Sequence, residues 1–452
     1  MTKSLSSSEL KRHNKTAKDT NSNVKSSGYS LTTAILVVRK MDTQQTRSAV
    51  FSEIKNKNPI YRFVDQAYNF SRFLFLQPLI LILYMLKSIA AIGPDVKPCD
   101  EIISVSNFKN EANTIDRVLK LIPAIKTARL TFNKKYYLRK NQIFAYTSLL
   151  KALPNYWHFI RHIAQSYDFM PACRIASVLA FYIRFDRMFK KHQNLKTAII
   201  TSNYSPECMA LAAAAHQNGC KAIYVNHAPV PANSNYVPPV LSDYSMFYGN
   251  VIEKIYMKRS RCISEVITIG QPGESQFMEW LPQVKTVGIF LTALTQKAAL
   301  EELIKQIKKA APQIEVLIRH HPVSLLETNL EEVLERHDGI RTTIGTPLAD
   351  DISTCDLVFS GNSGVAINIL RAGKPVAYLS KLDSLPHDYL GFVEDGVACE
   401  VNGWSNTLYE ELRNFYDHDA WKNKMCEYDA SFGASRTKLL QNAKEKLVSW
   451  VK

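Results

Sequence analysis

The residues best suited to chemistry begin with a basic run, Arg319-His320-His321-Pro322, which directly follows the apolar segment Ile314–Ile318. An apolar segment of this length predicts a strand, so the basic residues would lie at its carboxyl end. Arginine and imidazole N–H groups can hold a donor's phosphates and stabilise the charge that develops as a nucleotide leaves. Pro322 would stiffen the turn behind them. The run therefore predicts a phosphate-binding site.

A second candidate site is the small polar run Ser360–Gly364, between a predicted strand over Asp356–Phe359 and a predicted helix over Gly364–Ala372. Small residues let backbone N–H groups approach a ligand, and a helix N-terminus attracts anions. Taken alone, the run is explained better as a turn with a serine N-cap. Together with the basic run it favours an anion site, because ligands bind beyond the carboxyl ends of parallel strands.

The order of these two runs, followed by the segment 371–376 (Arg-Ala-Gly-Lys-Pro-Val), resembles the C-terminal donor lobe of bacterial GT-B transferases that build capsules and teichoic acids. The most similar families are CDP-glycerol glycerophosphotransferases, bacterial polysialyltransferases and Kdo transferases of capsule export. In them the histidine of a His-Pro motif and a serine of the later loop contact the donor's phosphate and nucleotide. The resemblance assigns these roles to His321, Ser360 and Ser363, with Asn362 and Gly364 beside them.

The resemblance extends into the first half of the chain, where Tyr224–Pro229 (Tyr-Val-Asn-His-Ala-Pro) occupies the place of a strand-end His-Gly-Pro motif. The histidine of that motif serves catalysis in the family, which implies a general base at His227. An imidazole can take the proton of an acceptor hydroxyl near neutral pH. Ala228 replaces the usual glycine, and a structural histidine at a strand end is the alternative interpretation.

Two carboxylates are alternative candidates for the base. Glu111 opens a predicted helix after the predicted strand Ile102–Ser106, and Glu207 opens an alanine-rich helix. Carboxylates at helix starts are also favourable partners of the helix dipole, and this structural interpretation is preferred for both.

The donor is expected to be nucleotide-activated and to need no metal or other cofactor. The chain contains no GxGxxG or Walker run. The adjacent carboxylates Asp350 and Asp351 could suggest a DxD-like metal site, but capping of a short helix explains them. Positive charge from Arg319, His320 and His321 would take the place of a cation on the leaving phosphate. A CMP-linked acidic sugar, a CDP-linked polyol or a UDP-sugar would each suit such a site, and we expect transfer with inversion.

The elements that must position these residues alternate between strand and helix through most of the chain. Strands are predicted over Ile102–Ser106, Thr197–Thr201, Ala222–Asn226, Val266–Gly270, Thr286–Leu291, Ile314–Arg319, Arg341–Ile344, Asp356–Phe359 and Pro375–Leu379. Helices are predicted over Glu111–Leu121, Ser205–Asn218, Lys297–Ala310, Asn329–Arg336 and Gly364–Ala372. Continuously apolar strands separated by helices are typical of parallel sheets covered on both faces. With the resemblance, this predicts an α/β fold of the GT-B type, two Rossmann-like lobes whose parallel sheets face each other across a cleft.

The domain boundaries follow from the same pattern. Residues 1–30 are expected to form a disordered basic tail, and 31–270 an acceptor lobe. Residues 271–403 would form the nucleotide-donor lobe, and 404–452 C-terminal helices. The apolar run Ala34–Val38 could be a strand or a short apolar segment.

Charge is distributed unevenly along the 452 residues. Residues 1–196 contain 32 Lys and Arg against 12 Asp and Glu, a net +20, whereas residues 197–452 contain 24 against 29, a net −5. Such a field attracts anionic lipid headgroups or an acidic glycan, and a merely solvated basic surface explains it equally well. No nucleic-acid-binding motif accompanies the charge, so we predict no nucleic-acid partner.

The apolar segment 73–92 is relevant to where in the cell the protein is found. Its uninterrupted core, Leu79–Leu86, is too short for a spanning helix. Flanking Arg62, Arg72 and Lys87 favour a helix lying in the membrane interface, and a buried domain helix is the equal alternative. The eight cysteines stand singly, and the first thirty residues contain no secretory signal. We therefore expect a cytoplasmic protein on the inner face of the cell membrane.

The function predicted from these observations is transfer of a sugar from a nucleotide-sugar donor to a bacterial surface-glycan or lipid-linked acceptor. The alternatives are a polyol-phosphate transferase of the same fold, a nucleotide-sugar 2-epimerase, and a non-catalytic glycan-binding scaffold.

Overall fold

The computed structural model describes two α/β lobes, a linker between them, and C-terminal helices that return to the first lobe. The described residues are 28–72, 76–94, 96–133, 140–292, 294–321, 338–385 and 387–451. The predicted helix Asn329–Arg336, Pro322 and nearly all of the predicted tail lie outside these ranges.

The first lobe is built on a sheet that, within the described residues, has seven strands. They are β1 Ile92–Gly93, β2 Ile102–Ser106, β3 Thr127–Phe132, β4 Thr197–Ile200, β5 Lys221–Val225, β6 Tyr244–Phe247 and β7 Glu265–Thr268. Their order is β1-β3-β2-β4-β5-β6-β7, and the neighbours are parallel except for β1 with β3. Strands β2 and β4 are buried along their whole length, which explains why their sequences are mostly apolar and contain no charged residue.

Helices surround this sheet. They are α1 Leu31–Asp42, α2 Gln45–Lys57, α3 Pro59–Phe70, α4 Gln77–Ala91, α5 Lys109–Leu119, α6 Lys140–Ser166, α7 Phe169–Lys191, α8 Pro206–Gln217 and α9 Asn250–Arg259. Helix α7 packs against α8 and also against α1, α4 and α6, so it is the centre of the helical layer beside the sheet.

The apolar run Ala34–Val38 is helical, which decides the choice that the sequence left open. The Ser30 side chain caps α1 by accepting a hydrogen bond of 3.1 Å from the Thr33 N–H. The buried residues of α1 include Ala34, Val37, Val38 and Met41. Their spacing is that of one helix face, whereas a strand would bury alternate residues.

The second lobe contains a parallel sheet of six strands within the described residues. They are β8 Thr286–Phe290, β9 Glu315–Arg319, β10 Ile340–Thr343, β11 Leu357–Ser360, β12 Val376–Tyr378 and β13 Cys399–Glu400, in the order β10-β9-β8-β11-β12-β13. The described helices that cover this sheet are α10 Lys297–Ala310, α11 Leu348–Thr354 and α12 Val365–Arg371. The α/β fold class predicted from the sequence is confirmed.

The C-terminal segment forms three helices within the described residues, α13 Leu408–Tyr416, α14 Asp419–Tyr428 and α15 Arg436–Val451. The predicted C-terminal helices are present, and residues 404–407, 417–418 and 429–435 of this segment are not helical. Helix α15 packs on the first lobe, where the Trp450 ring stacks on Tyr244 at 4.5 Å between centroids. The last described helix therefore packs on the lobe that contains the first described helix.

The linker between the lobes is held from both sides. Arg117 of the first lobe donates to the carbonyls of Ile269 and Gly270, and Arg371 of the second lobe donates to those of Pro272 and Gly273. The linker carbonyls thus have charged donors in both lobes, which restrains their relative position.

Three strands of the first lobe, β1, β3 and β6, were not predicted from the sequence. Strand β1 has only two residues, and the first of them ends the apolar segment 73–92. Thr127–Phe132 alternates between buried and more exposed residues, because it lies near the edge beside the short strand β1. Tyr244–Phe247 has only four residues, and the first two, Tyr244 and Ser245, carry hydroxyl groups. Neither β3 nor β6 has the continuous apolar run by which the other strands were identified.

Candidate functional site

Each sheet has a point at which the strand order reverses, and open parallel sheets bind ligands in the crevice at that point. In the first sheet the reversal lies between β2 and β4, which lead into α5 and α8. In the second sheet it lies between β8 and β11, and β11 leads into α12. Glu111 and Glu207 lie in the first turns of α5 and α8, and Ser360–Gly364 connects β11 to α12.

His227 lies half-buried in the loop after β5, and the neighbouring loop holds its ring. The His227 Nδ1 is 2.6 Å from the carbonyl oxygen of Thr201, the residue after β4. A carbonyl oxygen can only accept, so Nδ1 carries the hydrogen and the neutral ring keeps its lone pair on Nε2. The contact therefore orients the imidazole and leaves Nε2 as its proton-accepting nitrogen.

His227 forms part of the wall of a cavity of about 270 Å³ at the junction of the two lobes. The second lobe closes the cavity with Leu385, Tyr389 and Leu390, and helices α1 and α2 close it with Met41, Arg47 and Val50. The wall is mostly apolar and aromatic, with few polar groups, which is the usual character of a small-molecule site.

The loop of His227 and the loop after β11 meet across this junction. A Cβ built on Gly364 would lie 3.0 Å from Cδ of Pro229, so the approach is close enough to favour glycine. Beside this contact, the Asn233 amide N–H and Nδ2 donate to the carbonyls of Tyr389 and Asp388 at 3.1 and 2.8 Å. Two loops that are far apart in the sequence thus form one surface.

Asn362 joins separate segments of the second lobe by hydrogen bonds. Its backbone N–H donates to Asp383 at 2.9 Å, and its Oδ1 accepts hydrogen bonds from the Tyr378 hydroxyl and the Tyr389 N–H at 3.0 and 2.6 Å. Its side chain is buried. These bonds place Tyr389 at the cavity, so Asn362 positions that residue.

The two serines of the same loop differ in access. Ser360 is fully buried at the end of β11, so its hydroxyl is not presented to a ligand in this structure. Ser363 is half-buried, and its Oγ accepts a long hydrogen bond of 3.4 Å from the Val365 N–H at the start of α12. Ser363 and Gly364, rather than Ser360, form the accessible part of this run.

Arg319 is committed to an ion pair. Its guanidinium contacts the carboxylate of Asp351, and its Nη2 donates to the Thr346 carbonyl at 3.0 Å. Burial opposes ionisation of Asp351, but hydrogen bonds from Thr346, Thr343 and Arg319 outweigh it and lower the pKa of that carboxyl. Because this carboxylate neutralises Arg319, the positive charge expected here for a donor phosphate is already compensated. Asp351, predicted only as a capping residue, supplies the negative partner.

His320 and His321 follow β9, at the same sheet edge as Ser363. Burial lowers the pKa of both imidazoles below the ordinary value of 6.5. Burial thus favours the neutral form of both rings, which offers N–H donors rather than positive charge at this sheet edge.

The two candidate carboxylates have structural partners. Glu111 accepts hydrogen bonds from the N–H groups of Asn107 and Phe108 at 2.7 and 3.1 Å and so caps α5. Glu207 is buried at the start of α8, and desolvation raises the pKa of its carboxyl although Arg174 lies close enough to oppose the rise. The described residues that line the cavity include neither, so His227 is the base that the geometry favours.

Arg47 is a site residue that the sequence did not reveal. It lines the same cavity as His227, and its guanidinium carbon lies 5.3 Å from the centre of the Tyr204 ring. It occurs in a helix of mixed composition, so no local motif distinguishes it from the many other basic residues of the first lobe.

Metal and thiol chemistry receive no structural support within the described part of the chain. No group of three or more His, Cys, Asp or Glu side chains there is arranged to hold a metal ion. The cysteines are free thiols, and burial raises the pKa of Cys208 and Cys355 to about 12. These two thiols stay protonated and poorly nucleophilic at neutral pH.

Comparison with known proteins gave matches among solved structures only: no protein-family model and no curated protein matches the chain. A putative UDP-N-acetylglucosamine 2-epimerase from Listeria monocytogenes is 12% identical over 77% of this chain and 94% of that chain, with a TM-score of 0.48. The UDP-GlcNAc 2-epimerase from Neisseria meningitidis, bound to UDP-GlcNAc, is 12% identical over 78% and 99%, with a TM-score of 0.46. The glycosyltransferase SnogD from Streptomyces nogalater is 10% identical over 78% and 100%, with a TM-score of 0.42. Identities this low do not extend to activity, which must be inferred from the residues of this chain.

Proposed function

We propose that this protein is a glycosyltransferase that moves a sugar from a nucleotide-activated donor to a bacterial surface-glycan or lipid-linked acceptor, without a metal. The observation that carries the proposal is the geometry of His227. Its Nδ1 is held by the Thr201 carbonyl, and its ring lines a cavity that both lobes close. An acceptor hydroxyl in that cavity would meet an oriented base with an available Nε2.

In the proposed step, the acceptor oxygen attacks the anomeric carbon of the donor sugar while its proton passes to Nε2 of His227. A bond forms between the acceptor oxygen and that carbon, and the bond from that carbon to the phosphate oxygen breaks. The electron pair leaves with the nucleotide, and one displacement inverts the configuration at the carbon. The Thr201 carbonyl, 2.6 Å from Nδ1, stabilises the imidazolium that results.

We place the donor at the carboxyl ends of β9 and β11. His320, His321 and the hydroxyl of Ser363 would donate hydrogen bonds to its phosphates, with Gly364 allowing close approach. Neutral imidazoles suit this role because they stabilise the charge of the leaving phosphate through N–H dipoles. CMP-, CDP- and UDP-linked donors are the candidates.

We also propose that the first lobe lies against the inner face of the cell membrane. Within the described residues, no helix is both long and apolar enough to span a bilayer. The large apolar side chains exposed on α3, α4 and the residue before α4 are Ile60, Tyr61, Phe63, Phe70, Leu76, Leu79 and Leu83. Apolar exposure concentrated in one region is typical of an interaction surface.

The exposed Phe63 and Phe70 of α3 are seven residues apart and form an outer stripe, away from the buried Tyr68, and the exposed residues of α4 form a second stripe. Leu79, Leu83 and the exposed Lys87 recur every four residues along α4. The buried Tyr68 of α3 and the half-buried Tyr84 of α4 both contact the Phe169 ring of α7. Because both helices pack on the same neighbour, their outer stripes can face one membrane surface, with basic residues beside them.

The first experiment is a thermal-shift screen of the purified protein against CMP, CDP, UDP, GDP and ADP. A nucleotide that binds only the folded protein raises its melting temperature. We expect one pyrimidine nucleotide to do so, and His321→Ala to lose the shift. A screen in which no nucleotide raises the melting temperature would favour the scaffold alternative.

The catalytic test uses His227→Gln with the donor that the screen identifies. General-base catalysis contributes about 10²- to 10⁴-fold, so kcat should fall by that factor while the nucleotide-induced thermal shift stays unchanged. Mass analysis of the acceptor separates the possible reactions: addition of a sugar supports this proposal and addition of a polyol phosphate supports the related transferase. Nucleotide release without a modified acceptor would count against transfer, and inversion at C2 of an intact nucleotide-sugar would support the 2-epimerase.

A further inference from the structure

The cavity beside His227 contains a guanidinium that the proposed transfer step does not use. Arg47 lies on α2, and its Nε is buried and makes no hydrogen bond within the described part of the chain. No ion pair to Arg47 occurs among the described residues either. A buried or half-buried charge without a partner is costly, so such groups usually have a partner that completes the site.

Asp42, a carboxylate on which Arg47 acts through space, is already paired with Arg174. Asp42 is fully buried, and its Oδ2 is 2.8 Å from Nε of Arg174. Burial raises the pKa of Asp42, and Arg174 opposes the rise more strongly than Arg47 does. The Asp42–Arg174 pair thus leaves the Arg47 guanidinium with a weak through-space attraction and no direct partner.

Aromatic rings hold the Arg47 side chain in place at the cavity. Its guanidinium carbon lies 5.3 Å from the centre of the Tyr204 ring and 5.9 Å from that of Phe51. Stacking of this kind orients a guanidinium and leaves its N–H edge for a planar acid, because a carboxylate or phosphate oxygen pair matches that edge. A mostly apolar cavity would strengthen the attraction.

We propose that Arg47 is the binding site for an acidic group, a carboxylate or a phosphate, on the acceptor that His227 deprotonates. The inference rests on the proposed function in placing the acceptor in this cavity. The acid would bind at Arg47 while a hydroxyl of the same molecule lies at Nε2 of His227. Arg47 would thereby select acidic over neutral acceptors and orient them for transfer.

The binding test compares three probes by thermal shift: sodium glucuronate, inorganic phosphate and glucose, the last as a neutral match for glucuronate. The wild-type protein should be stabilised by at least one of the two anions and not by glucose. Losing charge-assisted hydrogen bonds weakens binding by roughly ten- to a hundredfold, so Arg47→Gln should lose most of the shift. Arg47→Lys keeps the charge and should retain part of it.

Two control variants separate this inference from the proposed transfer. Arg413→Gln removes a solvent-exposed arginine of helix α13, which lies beside Asp417, and should bind the anions as the wild type does. His227→Gln should also keep the anion-induced shift, because it changes the base and not the cation. In transfer assays, Arg47→Gln should raise KM for an acidic acceptor far more than it lowers kcat.

A shift with glucuronate alone that Arg47→Gln loses identifies a carboxylate acceptor, and a shift with phosphate alone that Arg47→Gln loses identifies a phosphorylated one; either supports the inference. Equal stabilisation of the wild type and Arg47→Gln would overturn it, as would the absence of any anion effect. Nucleotide binding by the same variants reports on the donor lobe independently, so an Arg47 site can fail while the transferase proposal stands.

Discussion

His320 and His321 show how burial changes the role of a residue that the sequence marks correctly as unusual. Two adjacent histidines after a strand suggest positive charge for a phosphate. Burial lowers the pKa of both, because a charged imidazolium loses more hydration energy than a neutral ring. At neutral pH the pair offers N–H donors without charge, and the positive charge of the neighbouring Arg319 is compensated by Asp351.

This shift predicts a pH dependence of stability. The unfolded chain protonates these histidines near pH 6.5, whereas the folded chain does so only at lower pH. The contribution of these histidines to the free energy of unfolding is therefore complete above about pH 6.5 and is lost as the pH falls through the folded pKa values. We expect the melting temperature of the wild type to fall more between about pH 7.5 and pH 5 than that of His320→Gln/His321→Gln. Parallel pH profiles for the two proteins would contradict this prediction.

At the scale of elements, helices α3 and α4 are divided between structural and exposed faces. Tyr68 donates from its hydroxyl to the Ala164 carbonyl at 3.0 Å, while Phe63 on the same helix is 70% exposed. On α4, Leu81 is fully buried and Leu83 is 66% exposed. Substitutions on the outer stripes should therefore change membrane contact without disturbing the packing beneath.

The corresponding test is sedimentation with vesicles of phosphatidylglycerol and phosphatidylcholine. We expect the wild type to bind the anionic vesicles and Phe63→Ser/Leu83→Ser to lose most of that binding, because burying each side chain in lipid contributes about 1.5–3 kcal/mol. The matched control is Phe277→Ser, which changes a 62% exposed phenylalanine in the segment between β7 and β8. This variant should bind the vesicles normally. If the double variant binds as well as wild type, or changes only the oligomeric state, the membrane proposal fails.

At the scale of the whole molecule, the lobes, linker and C-terminal helices converge on a buried ion pair. Arg371 Nε is 2.5 Å from Asp429 Oδ2, and the two side chains are 6% and 0% exposed. Asp429 also accepts a hydrogen bond of 2.8 Å from the backbone N–H of Gln271 in the linker. The pair therefore joins three parts of the molecule that a simple division into domains would separate.

Breaking this pair should destabilise the protein strongly. Arg371→Ala leaves Asp429 as an unpaired buried charge, and removing one partner of such a pair costs about 3–5 kcal/mol. Arg413→Ala breaks a solvent-exposed pair with Asp417 and should cost no more than about 1 kcal/mol. Chemical denaturation of the two variants beside the wild type measures the difference. Similar losses of stability in both would show that the pair does not join the lobes as described.

The sequence alone was sufficient to predict the alternation of strands and helices and the α/β fold class. Burial on both faces requires mostly apolar strands such as β2 and β11, and that requirement is visible in any single segment. The same reasoning indicated which loops follow strands, because the end of an apolar run is also a local feature. It could not resolve strands such as β3, whose partly exposed position breaks the apolar run.

Only the tertiary structure decided what the polar residues contact. Asp351 neutralises Arg319 and Asn362 holds Tyr389, while Arg47 reaches the cavity of His227 from a helix near the start of the described chain. None of these partners is fixed by local sequence, because each contact depends on how separate elements pack. Burial, and with it the pKa of His320 and His321, is likewise a property of the assembled lobe rather than of the motif.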